Sequence, residues 1–182
     1  MSKLITDLLL LAQLDQGIPL ERAPVDLSQL VEDAAFDVTI QDHGRLVTTD
    51  VATGVLVNGD EARLRQVVAN LVTNALTHTP RDTPIAMGVK ATEDSCTLIV
   101  SDEGPGMASD QAAHIFDRFF RIDRGRARNT GGSGLGLSIV ASIVAAHDGT
   151  VHVDTAPREG TTFRVTLPRQ PAPHTPPPQM AQ

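Results

Sequence analysis

DEARLRQVVANLVTNALTHTP, residues 60–80, carries its apolar side chains at Leu64, Val67, Val68, Leu71, Val72 and Ala75. That recurrence of three and four predicts one long helix with a single buried face, stopped by Pro80. Asn70 and Asn74 stand four apart on this helix and share a face. Their amide oxygens are hard donors of the kind Mg²⁺ accepts when phosphates and water complete its shell. Taken alone, such a pair reads as readily as a hydrogen-bonded surface pair.

Upstream, Asp26 can cap a second amphipathic helix carrying Leu27, Leu30, Val31, Ala34, Ala35 and Val38. Strand candidates lie at 46–49 and 55–57, then at 85–91, 97–101, 150–154 and 162–167. Strands and helices mix without strict alternation, which predicts an α/β two-layer sandwich: one mixed sheet covered on one face by helices. From residue 169 to 182 the chain turns to Pro, Gln and Ala and reads as a disordered tail. At 182 residues, the chain suits one globular domain with appendages.

The net charge of -7 argues against a binder of nucleic-acid backbones. The single cysteine, Cys96, sits in an apolar run and reads as a buried small hydrophobe. The longest apolar stretch, Leu8–Ala12, is far short of the ~18–20 residues that cross a bilayer, and no cleavable signal peptide follows it. The expected location is the cytoplasm.

Two glycine-rich stretches stand out. GGSGLGLS, residues 131–138, places glycines at 132, 134 and 136 just before an apolar helix. Backbone N–H groups there can turn toward an anion at the positive end of the helix dipole. The stretch lacks the Gly-Lys-Ser/Thr ending of a Walker A loop. SDEGPGM, residues 101–107, has a strand deliver Asp102 into a turn where Gly104 and Gly106 permit close backbone approach. A carboxylate at Asp102 can accept a hydrogen bond from the exocyclic amine of adenine. Each stretch alone also reads as an ordinary glycine loop or turn.

Order and spacing decide between these readings. With the helix at 60–80 as N box, DEGPG as first glycine box, IFDRFFR (115–121) as F box and GGSGLGLSIV (131–140) as second glycine box, residues 26–168 resemble the ATP-binding catalytic domain of sensor histidine kinases. HDG (147–149) resembles the family's His-Gly-Gly turn, and EGTTFRVTLP (159–168) its closing hairpin strand. The wider family includes gyrase, the ninety-kilodalton heat-shock chaperone and mismatch-repair ATPases, and its fold is the Bergerat sandwich.

The resemblance implies that ATP and Mg²⁺ are the cofactors. Asn74 would ligate the metal with Asn70 assisting at the phosphates, Asp102 would hold adenine beside Gly104 and Gly106, and His78 would lie against the base. Gly132, Gly134, Leu135, Gly136 and Leu137 would close over the phosphates, while Phe116 and Phe119 anchor the lid. Arg121 and Arg118 would stabilise the developing charge on the γ-phosphoryl group. In hydrolysing relatives a glutamate four residues before the metal asparagine activates water. Here that position is Asn70, as in histidine kinases, so hydrolysis should be slow. Thr77 stands where many members have Lys or Arg, which removes one phosphate contact.

MSKLITDLLLLAQLDQG, residues 1–17, places Leu4, Ile5, Leu8, Leu9, Leu11 and Ala12 on one broad apolar stripe. It resembles the end of the second helix of the family's dimerising hairpin, joined through a linker at 18–25. None of the six histidines, at 43, 78, 114, 147, 152 and 174, is followed by the Glu/Asp-Leu-Arg run of a phosphoacceptor. The chain thus resembles the ATP-binding subunit of a split kinase, which implies a phosphoacceptor hairpin protein in trans and a response regulator downstream. A non-catalytic nucleotide-binding regulator, or a fragment of a longer sensor, are the other readings.

Overall fold

The computed structural model describes residues 2–122 and 133–169, with side chains from Leu4 onward. Helix α1 (Ser2–Asp15) packs on the later helix α5 (Gly136–Ala146), turning Leu10 and Leu11 into the core with Leu14 partly buried. Each Leu so buried stabilises by roughly 1.5–3 kcal/mol. The expected stripe is therefore split. Leu11 faces inward, while Leu4, Ile5, Leu8 and Leu9 stay between 42% and 60% exposed. Leu10 lies inside although the stripe did not include it.

The expected linker at 18–25 is partly structured, because strand β1 (Ala23–Asp26) pairs antiparallel with β3 (Leu56–Gly59) in a two-stranded ribbon. Asp26 then caps α2 (Leu27–Gln41), its carboxylate accepting from Ser28 N at 2.9 Å and Gln29 N at 3.2 Å. Apolar residues at helical spacing turn inward: Leu27, Leu30, Val31, Ala35 and Val38 are buried. In α3 (Glu61–His78) all six expected core residues are buried, and Asp60 caps the helix by accepting from Arg63 N at 3.1 Å.

The main sheet has five strands in the order β2-β4-β5-β7-β6. These are β2 (Val47–Val51), β4 (Ile85–Ala91), β5 (Ser95–Asp102), β6 (Thr150–Thr155) and β7 (Thr161–Pro168). β2 and β4 run parallel, which needs a crossover, and α3 lies within it. All other neighbours are antiparallel. Alternation leaves one sheet face buried: Cys96, Leu98, Val100 and Asp102 on β5, and Thr161, Phe163, Val165 and Leu167 on β7. Helices α2, α3 and α5 cover that face, as the two-layer expectation requires. A short helix, α4 (Ser109–Ala112), follows the DEGPG turn.

The C-terminal boundary shifts by one residue. Arg169, assigned to the tail, donates from its backbone N to Asp94 O at 2.9 Å and from Nη1 to Thr92 O at 2.8 Å. Residues 170–182 lie outside the described residues. Among the described residues, no helix is long and apolar enough to cross a membrane.

Candidate functional site

Asp102 is the last residue of the inward-facing row of β5, so the pleat that builds the core also delivers a carboxylate to its edge. It is 7% exposed. Its Oδ1 accepts from Gly104 N at 2.9 Å, and the backbone of its register partner Thr161 also donates to it. Burial pushes its pKa above the usual carboxylate range, against these hydrogen bonds and the positive charges of His78 and Arg45.

The turn beside it tolerates no side chain. A Cβ on Gly104 would lie 2.5 Å from Thr79 Cγ2 and 2.7 Å from Asp102 Oδ1. At Gly106, φ is +60° and a Cβ would collide with the carbonyl oxygen of Ala156.

Opposite lies the start of α5. Leu135, fully buried, occupies the N-cap position and offers no side-chain bond, leaving the first-turn N–H groups without a side-chain cap. Gly134 at φ +72° turns the chain into this helix, and its carbonyl accepts from Phe119 N at 3.0 Å. Asn70 Nδ2 donates to Gly136 O at 3.1 Å, drawing the asparagine face of α3 against the α5 N-terminus. Asn74, one turn on, is partly exposed, and no described residue engages its amide. Leu137 is half-buried. Gly132 lies outside the described residues.

At the F box, Arg118 Nη2 contacts both oxygens of Asp15 on α1, at 2.7 and 2.8 Å. Phe119 does not anchor the segment, being 58% exposed with φ at 63°. Phe116 and Phe120 do the packing, Phe116 edge-on to Phe163 with centroids 6.4 Å apart. Bulk beside β7 favours rings at 116 and 120, while the left-handed backbone of Phe119 throws its ring outward. Arg121 is partly buried and forms no ion pair with a described residue. His78 is exposed at the end of α3, and its charge acts on Asp102.

The sequence reading missed Arg45, Thr79 and Thr161, which complete the Asp102 pocket. Only Thr161 carried a signal: inward alternation along 161–167 places it on the Asp102 side. A buried histidine stands at the other end of α5. His147, 4% exposed, accepts Asp60 N–H on Nε2 at 2.9 Å, while Nδ1 donates to Ile143 O at 2.8 Å. That fixes a neutral tautomer, and burial lowers its basicity.

The arrangement fits a purine nucleotide. A buried carboxylate at one end suits an amino-bearing base, and an uncapped helix N-terminus suits phosphates. Among the described residues, no cluster of three or more His, Cys, Asp or Glu could hold a metal alone. A cation here would rest on Asn74, with ligands from the nucleotide and water, as Mg²⁺ accepts.

Residues 59–171 match the family described as histidine kinase-, DNA gyrase B-, and HSP90-like ATPase. The probable sensor histidine kinase TcrY of Mycobacterium tuberculosis is 42% identical over 168 residues, covering 92% of this chain and 35% of that protein. The sensor-like histidine kinase SenX3 of Mycolicibacterium smegmatis is 37% identical over 159 residues, covering 84% and 41%. The chain therefore spans about two-fifths or less of these relatives. Among solved structures, full-length ShkA in complex with AMPPNP superposes with a TM-score of 0.80 at 31% identity, covering 93% of this chain and 36% of that one. The mycobacterial sensor histidine kinase MprB superposes at 0.71 with 28% identity, covering 83% and 99%. With residues 59–171 matched by the family model and the whole fold superposing on solved sensor kinases, the chain belongs to the histidine kinase-, gyrase B- and HSP90-like ATPase family, alongside the catalytic domains of sensor histidine kinases.

Proposed function

We propose that the protein binds Mg-ATP and transfers the γ-phosphoryl group to a histidine outside these 182 residues, on a separate helical-hairpin protein. A response-regulator aspartate then receives the group. The observation that carries this reading is the Asn70–Gly136 bond, which holds the asparagine face of α3 against the uncapped start of α5, with buried Asp102 beyond. The cofactor supplies the phosphoryl group and the charge-neutralising metal. Asp102 would accept a hydrogen bond from the adenine amino group, Asn74 would present an amide oxygen to the metal, and the α5 N–H groups would hold the phosphates. In the transfer, an imidazole nitrogen bonds to Pγ as its bond to the ADP oxygen breaks.

Asn70 is a neutral amide whose Nδ2 is already donating, so it cannot deprotonate water, and loss of ATP to hydrolysis is slow. No histidine in these 182 residues stands before a Glu/Asp-Leu-Arg run, which supports an acceptor outside them, and Leu4, Ile5, Leu8 and Leu9 present an uncovered helix face of the kind a hairpin packs against. We read residues 1–17 as the end of that hairpin, 26–168 as the catalytic domain and the cytoplasm as its place of action.

The test uses γ-labelled Mg-ATP with the protein alone and with a hairpin protein bearing His-Glu-Leu-Arg. Acid-labile label is expected on the partner only, and lost in Asn74→Ala. Nucleotide binding without label on either chain would favour a non-catalytic regulator.

A further inference from the structure

We propose that Arg45 is a positioning residue of the nucleotide site, fixing Thr79 against the Gly104 turn and so setting the shape and charge of the pocket that Asp102 closes. The inference rests on the ATP reading above. The Arg45 side chain is 1% exposed, an unusual place for a cation. Its fork ties its own loop to the stretch after α3: Nε donates to Asp42 Oδ2 at 3.1 Å, and Nη1 to Thr79 Oγ1 at 2.8 Å and to Thr83 O at 3.0 Å. Thr79 is the residue that ends α3, so the cation also sits at the negative end of the helix that bears Asn70, Asn74 and His78.

The Thr79 hydroxyl is held from both sides, since it donates in turn to Ala75 O at 2.7 Å. This fixes the methyl group against Gly104, whose N–H holds Asp102 Oδ1 at 2.9 Å. The contacts run Arg45, Thr79, Gly104, Asp102 without a gap. The cations acting on Asp102 are His78, from the end of α3, and Arg45, from the loop before β2. An apolar side chain of similar volume often replaces a buried ion pair without loss of stability, but it cannot bond three polar groups.

The test measures ATP and GTP affinity by calorimetry between pH 5 and 8 for the whole chain, Arg45→Met and Arg45→Lys, beside thermal melts. Arg45→Met is expected to bind ATP about tenfold more weakly and to lose part of its preference over GTP. The pH at which acid abolishes ATP binding should also move upward, because Asp102 has lost a cation. Arg45→Lys should keep the pH limb but not the full affinity. A folded Arg45→Met with wild-type affinity and pH limb, altered only in melting temperature, would overturn the proposal. If Arg45→Met does not fold, Thr79→Val carries the test: weakened ATP binding supports the inference, and unchanged binding overturns it. Wild-type protein that binds no ATP defeats the nucleotide reading itself.

Discussion

Asp102 and His147 are buried ionisable residues whose pH effects run in opposite directions. Asp102 binds its proton more readily folded than unfolded, so above its raised native value the ionised carboxylate lowers stability. Asp102→Asn should therefore melt no lower than wild type at pH 7.5 while losing ATP binding; a clearly lower melting temperature would contradict this account. His147 refuses a proton that the unfolded chain accepts below about pH 6.5. Its contribution is complete above that pH and lost as pH falls toward the depressed native value. Melting curves from pH 8 to 5 should show this decline, flattened in His147→Gln. Cys96, with its thiol pushed up to about 11 by burial, should resist alkylation at pH 8 until the chain unfolds. Asp102, Asn70 and Cys96 were legible because each lies in a local pattern. Arg45 was not, because it meets Thr79 and Thr83 across 34 and 38 residues of chain and nothing near it in sequence marks it as buried.

At the level of elements, an ion pair ties α1 to the F box: Arg118 Nη2 reaches both oxygens of Asp15, with side chains 45% and 48% exposed. Solvent screening limits such a pair to about 0–1 kcal/mol. Asp15→Asn and Arg118→Ala should each shift stability by no more than that, measured by denaturant titration. Phosphotransfer separates the two roles considered for Arg118. If it only braces α1, both variants should behave alike; loss in Arg118→Ala alone would return it to the chemistry. The helices were legible because their apolar spacing is unambiguous, as in α3, where every expected core residue is buried. The inward face of α1 was not: with leucine at 4, 8, 9, 10, 11 and 14, the pattern is apolar almost all round, and only packing on α5 selects Leu10 and Leu11. β1 escaped notice because four residues containing Pro24 show too little alternation to distinguish an edge strand from a linker.

For the whole molecule, Leu4, Ile5, Leu8 and Leu9 leave an uncovered apolar face on α1. Leu9, 60% exposed, is its most accessible leucine. Leu9→Lys should leave the melting temperature within about 0.5 kcal/mol of wild type in stability terms, while reducing any concentration-dependent association seen by sedimentation. The mixed sheet and two-layer build followed from the mixture of strand and helix patterns, but the strand order and the separate β1–β3 ribbon did not, since pairing partners cannot be read from short strands. The bond from Phe119 N to Gly134 O couples the F box to the start of α5. Gly134 sits at φ +72°, and a Cβ there would lie 3.0 Å from both the Cα and the carbonyl carbon of Phe119. A side chain at 134 would therefore be felt at two boxes at once, which makes this glycine a joint whose replacement demands a second, matching change at the F box.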